Sequence, residues 1–295
     1  MNPAECPHTL YDLESCKDIS MDKVLRDYSN LCDFPATTNP RKFAGNPTLY
    51  YYQHRVSLNC YREGGMTLKT IFDSNEEIQK LWNETIKRNR RDKDPLCSAT
   101  DMFECYRINR GSIVFFKAST AKYLYKRFNA TSVLDPTAGW GGRMLGAMSL
   151  GIKYTGIDTN INLKEGYDRM LSELPCNNRE DYKMIWDSCL NVDYSKIDYD
   201  FVLTSPPYVN LELYEGMTPF QSNEIFYNEF LIPMMNRVYE GLSPGGFMCI
   251  NISPKMFRAL NYPAPDFQVD LRQQLGKQFK SKSQDSIYVW EKPAE

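Results

Sequence analysis

The sequence predicts a doubly wound parallel α/β sheet behind an N-terminal extension, on three observations. From Ile113 onward, short apolar runs alternate with stretches of helical spacing, the pattern of strands joined by crossover helices. The first of these runs, Ser132-Val133-Leu134-Asp135, opens into a glycine turn, Pro136-Thr137-Ala138-Gly139-Trp140-Gly141-Gly142. A later run, Asp200-Phe201-Val202-Leu203, leads straight into Thr204-Ser205-Pro206-Pro207-Tyr208. Ligands of such sheets gather outside the carboxyl ends of the strands, so both turns are expected on one face.

The elements follow in order. Residues 1 to about 47, rich in Pro, Asn, Asp and Thr, read as irregular with one short helix near Met21–Ser29. A tyrosine-rich segment, Leu49 to Val56, comes next. Asp73 or Ser74 is expected to cap a helix over Glu76–Lys87, with Ile78, Leu81, Trp82 and Ile86 on one face. Ser119 or Thr120 opens a helix through Phe128. Strands are then expected at Ser132–Asp135, Tyr154–Asp158, Tyr182–Trp186, Phe201–Leu203, Gly246–Ile252 and Ser286–Glu291, with helices at Arg143–Leu150 and Leu163–Leu174 between the earlier ones. No internal repeat interrupts the pattern. The change of texture divides the chain into an N-terminal region, 1–110, and a catalytic domain, 111–295.

Composition narrows the class. With 295 residues, 42% hydrophobic and 24% charged, the chain can bury a sizeable core. It has no run of eighteen apolar residues that would span a membrane, and its start lacks the basic and apolar regions of a secretory signal. The nine cysteines are scattered and never spaced Cys-x-x-Cys, and only His8 and His54 could join them, so reduced thiols in an intracellular, soluble protein are expected and no metal site. A net charge of −2 gives no global attraction to nucleic acid.

Glycines in the first turn let the backbone approach a ligand closely. Asp158 ends the next strand about 20 residues after Gly139, where a carboxylate can accept hydrogen bonds from ribose hydroxyls. A dinucleotide turn would lay a pyrophosphate on the helix N-terminus, and Asp135 ahead of the glycines would repel it. A cationic nucleoside ligand suits the turn better. In these features the chain resembles class I S-adenosylmethionine-dependent methyltransferases. The resemblance implies a Rossmann-like, mostly parallel seven-stranded sheet and S-adenosyl-L-methionine as cofactor. It places Asp135, Thr137, Gly139 and Gly141 at the methionine end, Asp158 on the ribose, and Asp187 and Ser188 near the adenine. Phe116, in the segment before the first helix, and Thr204 join that set. Thr137 stands where an aromatic residue is frequent in amino-methylating relatives.

The second turn carries the chemistry. Consecutive prolines fix φ and remove two backbone donors, so the loop presents carbonyls. Ser205 and the Pro206 carbonyl can accept hydrogen bonds from an exocyclic amine, Pro207 stiffens the bend, and Tyr208 offers a flat face to a base. Ser205-Pro206-Pro207-Tyr208 resembles the catalytic loop of methyltransferases that modify amino groups of DNA bases, over roughly Ile113 to Trp290. Serine at the first position is similar to the cytosine-N4 form; adenine-N6 enzymes more often carry Asp or Asn. Short chains of this type resemble methylases of bacteriophages and large DNA viruses. The expected partner is DNA, either a duplex with the base flipped out or a single strand, with RNA as the alternative. A noncatalytic nucleic-acid-binding module of the same fold is the rival from another class. Carbon-5 cytosine methylation is disfavoured, because Cys176 lacks an evident base. Phosphate contacts are expected from Lys87, Arg88, Arg90 and Arg91 and from Lys277 and Lys280, and residues 209–240 are expected to close over the base.

Overall fold

A computed structural model of the chain describes residues 5–36, 43–62, 65–92, 97–110, 113–207, 212–213, 220–269 and 286–294. The N-terminal third forms helices α1 (Leu10–Glu14), α2 (Met21–Asp33), α3 (Asn46–Ser57), α4 (Leu68–Phe72), α5 (Asn75–Asp92) and α6 (Ala99–Arg110), with a short strand β1 (Tyr61–Arg62) after α3. Then α7 (Ala118–Arg127) leads into β2 (Ser132–Asp135), α8 (Gly142–Met148), β3 (Lys153–Ile157), α9 (Lys164–Glu173), β4 (Tyr182–Ile185) and β5 (Phe201–Thr204). A two-residue strand β6 (Glu212–Leu213) pairs with β1. The chain continues through α10 (Asn223–Ile225), a π-helical stretch over Phe226–Leu231, α11 (Ile232–Glu240), β7 (Phe247–Ile252), α12 (Pro254–Ala259), β8 (Phe267–Val269) and β9 (Ser286–Glu291).

Seven strands form one sheet in the order β4-β3-β2-β5-β7-β9-β8. The first five run parallel, whereas β9 lies antiparallel between β7 and β8. This is the Rossmann-like, mostly parallel arrangement expected from the sequence. The inner strands β2, β5, β7 and β9 are buried on both faces, and their side chains sort by period two. Val133, Phe201, Leu203 and Cys249 point into one core with α2, α3, α7, α8 and α9. Leu134, Val202, Met248 and Ile250 point into the other, under Met234, Met235 and Val238 of α11.

The packing runs across residue 110. Val24, Tyr28 and Leu31 of α2 and Leu49 and Tyr52 of α3 belong to the same core as β2 and α8. Two devices lock them there. Asp27 of α2 caps α3, accepting from the amides of Gly45 (3.2 Å) and Thr48 (3.1 Å) and from the Thr48 hydroxyl (2.7 Å). Lys122 of α7, buried, donates to the carbonyls of Leu31 (2.6 Å) and Cys32 (2.7 Å) at the end of α2. A separate cluster of Leu13, Leu68, Ile71, Leu81, Trp82 and Phe103 joins α1 with α4, α5 and α6. The N-terminal residues are therefore more helical than expected: α2 runs four residues past Ser29, and a capping box of Thr9 and Asp12 starts α1.

Ser74 is the cap of α5, accepting from the Glu77 amide at 3.4 Å. The expected cover over 209–240 is also revised. Residues 223–240 are one continuous helical rod whose Phe226, Leu231, Met234 and Met235 are core, so this part supports the sheet; residues 208–211 and 214–219 lie outside the described residues.

Candidate active site

Asp135, at the carboxyl end of β2, is fully buried and accepts from three side chains. Arg143 Nε (2.6 Å) and the Tyr154 hydroxyl (2.6 Å) share one carboxylate oxygen, and the Thr204 hydroxyl takes the other at 3.0 Å. Burial works against the Arg143 charge, but the adjacent carboxylate more than reverses it and raises the guanidinium pKa. Burial, then Asp135, holds the Tyr154 phenol protonated well above its ordinary value. Asp135, expected from the sequence to repel a pyrophosphate, has three partners inside the protein. Its charge is spent inside the protein, where it fixes the geometry of the turn.

Arg143 also bonds the Thr137 carbonyl with Nη2, and its guanidinium lies 5.1 Å from the Phe116 ring centroid. Through Arg143 the acid, the turn and the segment before α7 become one unit. The Thr204 proton goes to Asp135, so in the 2.6 Å contact between the two hydroxyls Thr137 is the donor. The Ser205 carbonyl, at 3.3 Å, can only share that same Thr137 proton, as the longer arm of a bifurcated bond. The glycine turn after β2 and the proline turn after β5 are hydrogen-bonded to each other.

Gly139 and Gly141 have φ of 56° and 84°, a region that side chains avoid. At Gly139 a Cβ would meet the Thr137 carbonyl oxygen at 3.9 Å, ordinary van der Waals contact, so it is the left-handed φ and not crowding that calls for glycine. Its amide donates to Asp158 Oδ2 at 2.7 Å, and the Asn160 amide donates to Oδ1 at 2.9 Å. Burial raises the Asp158 pKa despite these two bonds. Each oxygen keeps a lone pair for a ligand hydroxyl. The Tyr167 hydroxyl anchors the Gly139 carbonyl at 2.8 Å.

At the end of β4, Asp187 is exposed and accepts from the Ser188 amide (2.6 Å) and Asn191 Nδ2 (2.9 Å); the Ser188 hydroxyl accepts from Leu190 N at 3.2 Å. The fold brings Asp135, Thr137, Gly139, Gly141, Asp158, Asp187 and Ser188 to the carboxyl ends of β2, β3 and β4.

Ser205, Pro206 and Pro207 follow β5, with Pro206 buried and the other two half-buried. Asn251, inside the apolar strand β7, donates to Ser205 Oγ at 3.1 Å. One lone pair of Ser205 is therefore already taken. Tyr208, Lys277 and Lys280 lie outside the described residues. Lys87 and Arg88 lie on α5, Lys87 exposed and Arg88 with Nη1 buried without a hydrogen-bond partner; Arg90 and Arg91 are placed by backbone alone on the same helix.

The sequence reading missed Arg143, Tyr154 and Asn251. Asn251 did leave a signal, being the one polar residue within the Phe247–Ile252 strand. Among the described residues no cluster of three or more His, Cys, Asp or Glu could hold a metal ion, all nine cysteines are free thiols, and no helix is long and apolar enough to cross a membrane.

No family model and no curated protein matches the chain. Solved structures do. TrmN from Thermus thermophilus matches with 16% identity and a TM-score of 0.43, over 59% of this chain and 48% of its own. The glycopeptide N-methyltransferase MtfA, complexed with sinefungin, matches with 18% identity and a TM-score of 0.37, over 48% and 57%. An rRNA methylase from Streptococcus thermophilus matches with 12% identity and a TM-score of 0.42, over 62% of this chain and 99% of its own. The chain thus spans about half the length of the first two.

Proposed function

We propose that this chain is an S-adenosylmethionine-dependent methyltransferase acting on the exocyclic amino group of a nucleic-acid base. We take the substrate to be DNA, with cytosine N4 ahead of adenine N6. The observation that carries the reading is the hydrogen-bonded junction of the two turns, in which Thr137 reaches both Thr204 (2.6 Å) and the Ser205 carbonyl (3.3 Å). A cofactor turn and an amine-accepting turn held together in this way can bring donor and acceptor side by side.

The residues present suit the cofactor. Asp158 retains lone pairs for ribose hydroxyls, and Asp187 is exposed beside Ser188 at the next strand end. When bound, S-adenosylmethionine supplies an electrophilic methyl group. On the other side, Asn251 fixes the Ser205 hydroxyl, whose remaining lone pair and the Pro206 carbonyl accept from the substrate amine. Those bonds draw the amine out of conjugation with its ring and orient its own lone pair. The rate gain is then one of positioning and fixed dipoles, with no covalent intermediate on the protein.

The test is nucleoside mass spectrometry on DNA and RNA from cells expressing the protein or Ser205→Ala. N4-methylcytosine in DNA, lost in the variant, is the expected result. Methylated bases in RNA alone would move the substrate to RNA. No modified base in either, together with no S-adenosylmethionine binding by calorimetry, would leave the noncatalytic module.

A further inference from the structure

Beside the glycine turn, across a column of rings, lies a cavity of about 510 Å³ whose walls include Lys17, Phe43, Tyr50, Arg107, Phe115 and Lys117. Tyr50 stacks on Phe115 with centroids 4.8 Å apart, and Phe115 stacks on Trp140 of the glycine turn at 4.9 Å. The cavity is therefore two ring contacts from the candidate active site. At its wall Phe43 is 67% exposed and Val114 63%, unusually open for side chains of that size.

Charge and shape agree on an occupant. Lys17 (3.2 Å) and Arg107 (3.4 Å) share a single carboxylate, Glu104, and Lys117 Nζ lies 4.5 Å from the Phe43 ring centroid. Asp18 is taken by Arg55 at 3.0 Å. Two cations of the wall thus share one acid, a local excess of positive charge in a chain whose net charge is −2. Arg107 Nε is also buried with no hydrogen-bond partner. An apolar ligand would desolvate these cations with no return. A phosphate beside a planar ring would use both halves of the wall, and the volume suits one such unit.

We propose that this cavity seats a nucleotide neighbouring the target base, its phosphate on Lys17 and Arg107 and its base against Phe43 or Tyr50. The proposal rests on the reading of the chain as a nucleic-acid methyltransferase and gives its N-terminal helices a part in holding the strand. Cationic grooves with interleaved aromatic faces hold single strands this way without reading their sequence.

Fluorescence anisotropy of the full chain with labelled single-stranded oligonucleotides, one of DNA and one of RNA in the same sequence, tests it across a salt series. Phe43→Ala is expected to raise Kd about tenfold, the loss of one stacked base. Lys17→Gln is expected to weaken binding and flatten the slope of log K against log salt by about 0.7. Glu104→Gln, which removes the competing carboxylate, is expected to tighten binding several-fold, an outcome that a merely structural ion pair would not give. Wild-type affinity and salt slope in all three variants would overturn the proposal, as would weaker binding by Glu104→Gln. Binding needs no methyl transfer, so the two readings separate. If wild type binds neither oligonucleotide, the nucleic-acid reading falls and the pocket with it. If wild type binds and methylates but the variants behave like it, only the pocket falls.

Discussion

Asp135 and Arg143 form the one ion pair among the described residues in which both side chains are almost wholly buried. Such a pair adds little net stability over apolar residues of equal volume, but removing one partner strands a charge. Arg143→Met should therefore cost about 3–5 kcal/mol in urea unfolding. A loss below about 1 kcal/mol would mean that the carboxylate escapes by protonation or by letting water in. These two residues also mark what the sequence could disclose about the site. The placing of Asp135, Thr137, Gly139 and Asp158 at strand ends was legible, because apolar runs and spacing select those positions. The role of Asp135 was not, because its partners Tyr154 and Thr204 stand 19 and 69 positions away along the chain. Nothing local marks a carboxylate as already satisfied.

The helix α8 carries the glycine turn, and its approach to α7 leaves no room for a side chain. A Cβ on Gly142 would lie 1.8 Å from the Phe116 carbonyl oxygen, and one on Gly146 2.8 Å from the Ala121 methyl. Backbone lies against backbone at Gly142, so nothing there can swing aside. Gly142→Ala is expected to cost at least about 3 kcal/mol, the upper range for an overpacked site, and to weaken S-adenosylmethionine binding in calorimetry. An alanine variant with unchanged melting temperature and affinity would contradict that packing. The parallel strands β2, β3, β4, β5 and β7 were read almost to the residue, since apolar runs bounded by turns leave little choice. The rod over 223–240 escaped notice, its helical signal interrupted by Pro233 and a π-helical stretch. Strand β8 escaped too: only three residues long, it is defined by pairing with β9 and not by any pattern of its own.

At the scale of the molecule, the sheet shares its core with α2 and α3, and the satellite cluster of α1, α4, α5 and α6 is joined to it through α3. His54 sits at that joint, buried, with its ring edge-on to Tyr50 (6.0 Å) and to Phe103 (5.3 Å). Burial, with Lys17 next, lowers its pKa from 6.5 to about 4, Asp18 and Arg55 acting in opposite directions. The unfolded chain thus binds a proton between these values that the folded chain refuses, and stability rises with pH across the window. The contribution is complete above pH 6.5 and is lost as pH falls through about 4. It amounts to about 3 kcal/mol, and His54→Phe should flatten that part of the stability profile measured by urea unfolding at successive pH values. An unchanged profile would assign the acid sensitivity to other groups. The composition of the first hundred residues gave no hint of this attachment, because Asp27 and Lys122 hold the helices with long-range caps.

The position of β9 has a consequence for biosynthesis. It lies between β7 and β8 although it follows both in the chain, so β7 lacks its outer neighbour and β8 has none until residue 291 has emerged. Between the emergence of β7 and that of β9 the nascent polypeptide must carry an open, apolar sheet margin, and shielding by a chaperone at the exit tunnel would matter more for this molecule than for one wound strictly in sequence.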